Sequence, residues 1–189
     1  MEGIKVIDNC IPLKIQNYIE NLVLSSNTKY SFNNLTNYFI ANNSKYQDGS
    51  QLINKFIEDG KFIVEDVSHY FLIPLQILCL QEGIFFNLQD VVRAKVNLKF
   101  KQEAKENTFI NPPHIDTNLS NSLIGIYYIN DSDGDTIIYE GNNINNLKPI
   151  QKINPKKGRM ILMDGSTWHS ASHPLKTETR MVINYNIIL

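Results

Sequence analysis

From Val91 to Leu189 the chain breaks into about eight short runs rich in Val, Ile, Tyr and Thr, separated by Gly, Pro, Asn and Asp. They are "VVRAKVNLKF", "PPHIDTN", "NSLIGIYYIN", "DTIIYEG", "IQKIN", "GRMILMDG", "TWHSASH" and "RMVINYNIIL". Runs this short bury an apolar face only by stacking sheet on sheet, so the half predicts an all-β sandwich or jelly roll. "DSDGDT", Asp131 to Thr136, sets Asp-Gly between apolar segments and predicts a hairpin.

Alternation within two of these runs separates their faces. In "RAKVNLKF", Ala94, Val96, Leu98 and Phe100 share one side, and Arg93, Lys95, Asn97 and Lys99 the other. In the final run Met181, Ile183, Tyr185 and Ile187 lie opposite Arg180, Val182, Asn184 and Asn186. The simplest packing sets the apolar sides against a layer formed by the first half of the chain and turns polar groups into a barrel-like interior. Polar groups inside a sandwich mark a site or a solvated mouth.

The first half, to about residue 90, reads as helical. Pro12 opens a helix whose stripe runs through Ile15, Tyr18, Ile19, Leu22 and Val23. Leu52, Ile53, Phe56 and Ile57 repeat the spacing before Gly60, which predicts a second helix with a glycine stop. A third is expected from Glu65 to Glu82, with Val67, Tyr70, Phe71, Leu75, Leu78 and Cys79 inward and a kink at Pro74. His69 falls among these as a structural histidine. Residues 25–50 read as loop, anchored by Tyr38, Phe39 and Ile40.

Composition bounds the partners. With 189 residues, 42% of them hydrophobic, the chain is long enough for one domain with a substantial core, residues 1–189. A net charge of −1 gives no chain-wide footprint for nucleic acid or anionic membrane. No apolar stretch approaches spanning length, and "MEGIKVIDNC" lacks the layout of a signal peptide. Cys10 and Cys79, without metal-ligand spacing, read as reduced core thiols, which points to the cytoplasm.

"NPPHIDTN" places His114 and Asp116 one residue apart after two prolines. In an extended strand alternate side chains share a face, so the pair converges on one point. A third ligand is available in "DGSTWHSASHP", where His169 follows a Gly-containing turn and His173 has the same parity. Arg180 follows His169 with ten residues between them, and parity alone leaves His169 and His173 both open as the third ligand. Two imidazoles and a carboxylate can occupy one face of an octahedron, leaving open positions, the arrangement of non-haem Fe(II) oxygenases.

The ordered set "HID", "GIYYINDSDGDT", "PKKGRMILMDGSTWHSASHP" and "RMVINYNI" resembles the core of the Fe(II)/2-oxoglutarate-dependent dioxygenases, in their prolyl-4-hydroxylase-like branch. The resemblance spans roughly Val91 to Leu189. It implies a double-stranded β-helix (jelly roll) core flanked by N-terminal helices. It also implies Fe(II) held by His114, Asp116 and His169, with 2-oxoglutarate and O2 as cosubstrates. Arg180 would take the distal carboxylate through its planar fork of donors. Tyr128, the second tyrosine of "IYYIN", matches a position that donates to the same carboxylate. Asn184 faces the same way as Arg180, and Asn97 is added by inward parity alone. The implied reaction is hydroxylation of a C–H bond with release of succinate and CO2, and retention of Asp116 argues against halogenation. The substrate would be a small molecule or a peptide, its specificity set by the loops "KFKQEAKENTFINPP" and 31–50. Two other readings stand beside this one: a jelly-roll binding module without turnover, and a cupin-like metalloenzyme that does not use 2-oxoglutarate. Trp168 is expected to pack.

Overall fold

In the computed structural model, which describes residues 3–34, 49–63, 67–103, 110–119 and 121–189, strands occur in both halves of the chain and dominate the second. The order is β1 (Lys5–Ile7), α1 (Leu13–Val23), β2 (Ser31–Asn33), β3 (Gln51–Glu58), β4 (Lys61–Phe62), α2 (Ile73–Gln81), β5 (Val91–Phe100) and β6 (Ser122–Tyr128). Then come β7 (Thr136–Glu140), β8 (Lys148–Ile153), β9 (Met160–Asp164), β10 (His169–Ala171) and β11 (Thr179–Ile188). A major antiparallel sheet runs β1-β9-β6-β11-β5-β3-β2, with β4 on β3, and a minor sheet runs β10-β7-β8. This is the mainly β jelly-roll architecture expected.

The two-sidedness of β5 and β11 organises the packing. Ala94, Val96, Leu98, Met181, Ile183, Tyr185 and Ile187 are buried against Ile19, Leu22 and Val23 of α1 and Leu75, Leu78 and Cys79 of α2. Phe100, at the strand end, is exposed instead. Between the sheets a second apolar cluster joins Ile124, Ile126, Tyr128, Ile161 and Met163 of the major sheet to Ile138 and Ile153 of the minor one. One end of the sandwich is therefore closed by hydrocarbon. The other, lined by β5, β11 and β10, is polar.

Three expectations for the chain's course change. The helix over Leu52–Ile57 is instead β3, paired to β5. A register shift between Lys55 and Ile57 lets Phe56 and Ile57 both enter the core, and this bulge produces the helix-like spacing. The segment ends in an Asp59-Gly60 turn with φ of 48° and 71°, the two left-handed positions of a tight hairpin, joining β3 to β4. A side chain at Gly60 would also strike the Gln89 backbone, with Cβ 2.6 Å from its Cα. The N-terminal half is thus a mixed layer that extends the major sheet at both edges.

Asp133-Gly134, conversely, is not a hairpin: β6 and β7 lie in different sheets, and 129–135 crosses between them. The Asp133 carboxylate accepts the backbone N–H groups of Leu175, Lys176 and Thr177 at 3.1, 2.9 and 3.0 Å, which ties this crossover to the loop before β11. Burial raises the Asp133 pKa, but these bonds outweigh it and bring it down to about 2.

The helix expected over residues 65–82 is a 3₁₀ turn (Ser68–Leu72) followed by α2, with Pro74 in the first turn of α2, not at a kink. His69 is exposed, its ring 4.1 Å from that of Tyr70. Both cysteines are buried and free; burial pushes the Cys10 thiol up to about 12 and Cys79 to about 11. Tyr38, Phe39 and Ile40 lie outside the described residues. Among the described residues no helix is long and apolar enough to cross a membrane.

Candidate metal centre

The two histidines meet through the backbone. His114 pairs with His169 as an isolated antiparallel bridge, each N–H donating to the other's carbonyl at 2.9 Å, and Ile110 bridges Ser172 upstream. Such reciprocal pairs hold Cα atoms about 5.5 Å apart with side chains on one face. The ring centroids are 4.5 Å apart. Each Nδ1 lies against a carbonyl two residues earlier, His114 on Pro112 at 3.2 Å and His169 on Thr167 at 2.9 Å. That assigns the proton to Nδ1 and leaves Nε2 with its lone pair. Asp116 brings Oδ1 to 3.8 Å from His114 Nε2, and one ligand atom from each residue lies within 4.8 Å of the other two.

Asp116 is supported from the major sheet. Arg93 Nη2 donates to its Oδ1 at 3.0 Å, and Asn184 Nδ2 to Oδ2 at 3.4 Å. With its amide turned nitrogen-inward, Asn186 donates to Oδ2 at 3.2 Å and accepts from Arg93 at 2.9 Å. Burial raises the Asp116 pKa, but His169, His114, Arg93 and Lys95 outweigh it and hold the carboxyl below its usual range. His114 is driven down to about 3, first by burial and then by His169. A charged carboxylate and a neutral imidazole are the protonation states that bind a metal.

The triad closes one part of a polar cavity that also touches Lys95, Asn97, Lys99, Asn111, Thr136 and Arg180. Arg180, at the far end, is only 3% exposed. Its Nε donates to Gly134 O at 2.6 Å and Nη2 to Thr136 Oγ1 at 2.9 Å, and no carboxylate among the described residues lies within ion-pair distance. Gly134 makes this seat possible, since a Cβ there would sit 2.8 Å from Arg180 Cδ and 2.9 Å from Ser172 O. Lys99 Nζ donates to Asn111 Oδ1 at 2.7 Å.

The structure thus brings His114, Asp116, His169, Asn97, Asn184 and Arg180 to one cavity. Asn184 contacts Asp116, not the Arg180 end. Asn97 is buried, and its Oδ1 has no partner among the described residues. Tyr128 stands behind Thr136, to whose Oγ1 its hydroxyl donates at 2.7 Å, with Arg180 Cζ 5.8 Å from its ring centre. His173 is buried on a neighbouring cavity with Asp133 and Asp135, away from the triad. Trp168 packs with Ile137, Tyr139 and Leu147. Sequence reasoning did not single out Arg93, Lys95, Lys99, Thr136 or Asn186. Inward parity on β5 and β11 was the available signal for all but Thr136.

No family model matches the sequence, and no curated protein does. Solved structures do match. An oxidoreductase of the 2OG-Fe(II) oxygenase family from Burkholderia pseudomallei superposes with a TM-score of 0.70 at 11% identity, covering 98% of this chain and 85% of its own. A prolyl hydroxylase from Trichoplax adhaerens, in complex with a hypoxia inducible factor peptide, gives 0.61 at 15% identity, covering 99% and 84%. The epimerase SnoN in complex with Fe3+, alpha ketoglutarate and nogalamycin RO gives 0.61 at 12%, covering 98% and 79%. The chain therefore has the fold of the 2OG-Fe(II) oxygenases, prolyl hydroxylases among them.

Proposed function

We propose that this protein is an Fe(II)- and 2-oxoglutarate-dependent dioxygenase that hydroxylates a C–H bond of a peptide or small-molecule substrate, with release of succinate and CO2. A prolyl or other amino-acid side chain is the substrate the prolyl hydroxylase neighbour favours. One observation carries the reading: a His-Asp-His cluster and a buried arginine without a carboxylate partner among the described residues line the same cavity.

The donor set fits iron. Two imidazole nitrogens and one hard carboxylate, with no cysteine in the cluster, suit Fe(II) better than a closed structural zinc site. His114 and His169 would bind through Nε2, and Asp116 through its carboxylate, held by Arg93, Asn184 and Asn186. Iron, when bound, supplies the activation of O2 that no side chain provides.

The cavity likewise fits a dicarboxylate. Arg180 has donors left after Gly134 and Thr136 are satisfied, and its planar fork matches a carboxylate. Burial strengthens that pairing by removing competing water. Thr136, bonded to both Arg180 and Tyr128, presents its hydroxyl beside the fork and makes Tyr128 a positioning residue. Arg180 is what separates this reading from a cupin-like metalloenzyme, which needs no anion clamp.

Anaerobic titration with Fe(II) and then 2-oxoglutarate tests it. The ternary complex should show the visible charge-transfer absorption of a chelated 2-oxo acid, and admission of O2 should yield succinate. Arg180→Met should weaken 2-oxoglutarate about a hundredfold or more while leaving metal affinity intact, since two charge-assisted hydrogen bonds are lost. Unchanged 2-oxoglutarate affinity in that variant overturns the assignment.

A further inference from the structure

Beyond the triad and Arg180, the cavity holds a cation that the proposed chemistry leaves without a task. Lys95 lies on the inward side of β5, directly across from Asn184 on β11 and from Lys55 on β3. It lines the same cavity as His114 and Asp116, at the triad's part of the wall. Its neighbours have partners: Arg93 and Asn184 hold Asp116, and Lys55 Nζ donates to Glu58 at 2.6 Å. Lys95 itself makes no hydrogen bond or ion pair with any described residue.

The charge balance of the cavity points the same way. Among the described residues, Lys95 and Arg180 line it with one carboxylate, Asp116, which Arg93 already engages. An Fe(II) dication and a 2-oxoglutarate dianion cancel each other, so loading the site leaves the excess of positive charge in place. The cosubstrate is accounted for at the Arg180 end. A half-buried ammonium that shares the one carboxylate, Asp116, with Arg93 and the two histidines, and makes no direct ion pair with it, gains most from an anion that enters last.

Resting on the dioxygenase reading, we infer that the substrate carries an anionic group, a carboxylate or a phosphate, which Lys95 binds beside the metal ligands. Lys95 is then a specificity-determining residue: it orients the substrate so that a carbon near the charged group faces the iron.

The test uses the full chain with Co(II) in place of iron, loaded anaerobically with 2-oxoglutarate, and follows the cobalt absorption spectrum. The probes are two pairs of similar shape and different charge, glutamate against glutamine and phosphoserine against serine. In at least one pair the charged member should bind about tenfold or more tighter, the scale of one charge-assisted hydrogen bond. The pair that discriminates identifies carboxylate or phosphate. Lys95→Gln should abolish that preference without changing 2-oxoglutarate affinity, and Lys95→Arg should retain it. Equal binding within both pairs, no binding by either charged member, or a preference that survives in Lys95→Gln overturns the inference. So does a loss of 2-oxoglutarate affinity in Lys95→Gln, which would assign Lys95 to the cosubstrate. If 2-oxoglutarate leaves the wild-type cobalt spectrum unchanged, the dioxygenase reading falls, and this inference with it.

Discussion

The two faces of β11 share one backbone and one set of hydrogen bonds, yet they solve opposite problems. The outer face, Met181, Ile183, Tyr185 and Ile187, is buried against the helices, and its one polar atom, the Tyr185 hydroxyl, donates to the Phe71 carbonyl. The inner face, Arg180, Asn184 and Asn186, is almost as buried but points polar groups at Asp116 and into the cavity. Burial of the first kind stabilises the fold through removal of apolar surface from water. The second kind costs free energy that is recovered only where each polar atom finds a partner. The stability of the protein therefore resides on one side of the strand, and its chemistry on the other.

Substitutions on opposite faces should divide accordingly. The largest effect expected is from Ile183→Ala, which leaves a cavity in the outer core. It should cost about 2–5 kcal/mol in chemical denaturation while the protein that remains folded binds Co(II) as before. A fall in metal affinity of the same size would break the division.

Arg93→Met comes next. It removes a charged donor from Asp116 and should weaken metal binding about 10–100-fold, with a smaller change in unfolding free energy. Should stability fall while metal affinity holds, Arg93 is part of the scaffold and the inner face is less specialised than described.

The smallest effect is at Lys95, and its sign is opposite. Burial first, then Arg93 and Lys55, lower its ammonium pKa from 10.5 to about 8, against the pull of Asp116. Between those values the unfolded chain holds a proton that the folded protein has released, so stability rises with pH across that window, and the cost is full below about 8. Lys95→Met should therefore melt a few degrees higher than wild type at pH 7 in the metal-free protein. That gap should close as the pH approaches 10.5. A lower melting temperature for Lys95→Met at pH 7 would show that the ammonium contributes to the fold.

The same division explains what could be read from the sequence. Alternation in "RAKVNLKF" and "RMVINYNI" separates the faces of β5 and β11 because strand period and side-chain chemistry agree there. His114, Asp116 and His169 could be found because strand parity and a turn place them locally. Parity also turns Arg93 and Asn186 inward, but not onto Asp116, since that contact depends on a register of β5 against β11 and on a loop between the sheets. Local signals also misled where tertiary context overrode them. The bulge in β3 imitates a helical stripe, and two Asp-Gly pairs exchange roles. Asp59-Gly60 turns a hairpin, whereas Asp133 commits its carboxylate to the backbone of a distant loop. The dipeptide favours a turn, but the bonding partners available around it decide which kind.

The reciprocal amide bonds between His114 and His169 bear on how the protein would acquire its ion. Because main chain clamps these two positions together, on the proposed reading the receptor would be assembled before any ion arrives. Stripping with a chelator should then be a reversible loss of occupancy without loss of shape, and rearming the emptied protein requires only ferrous salt, not refolding.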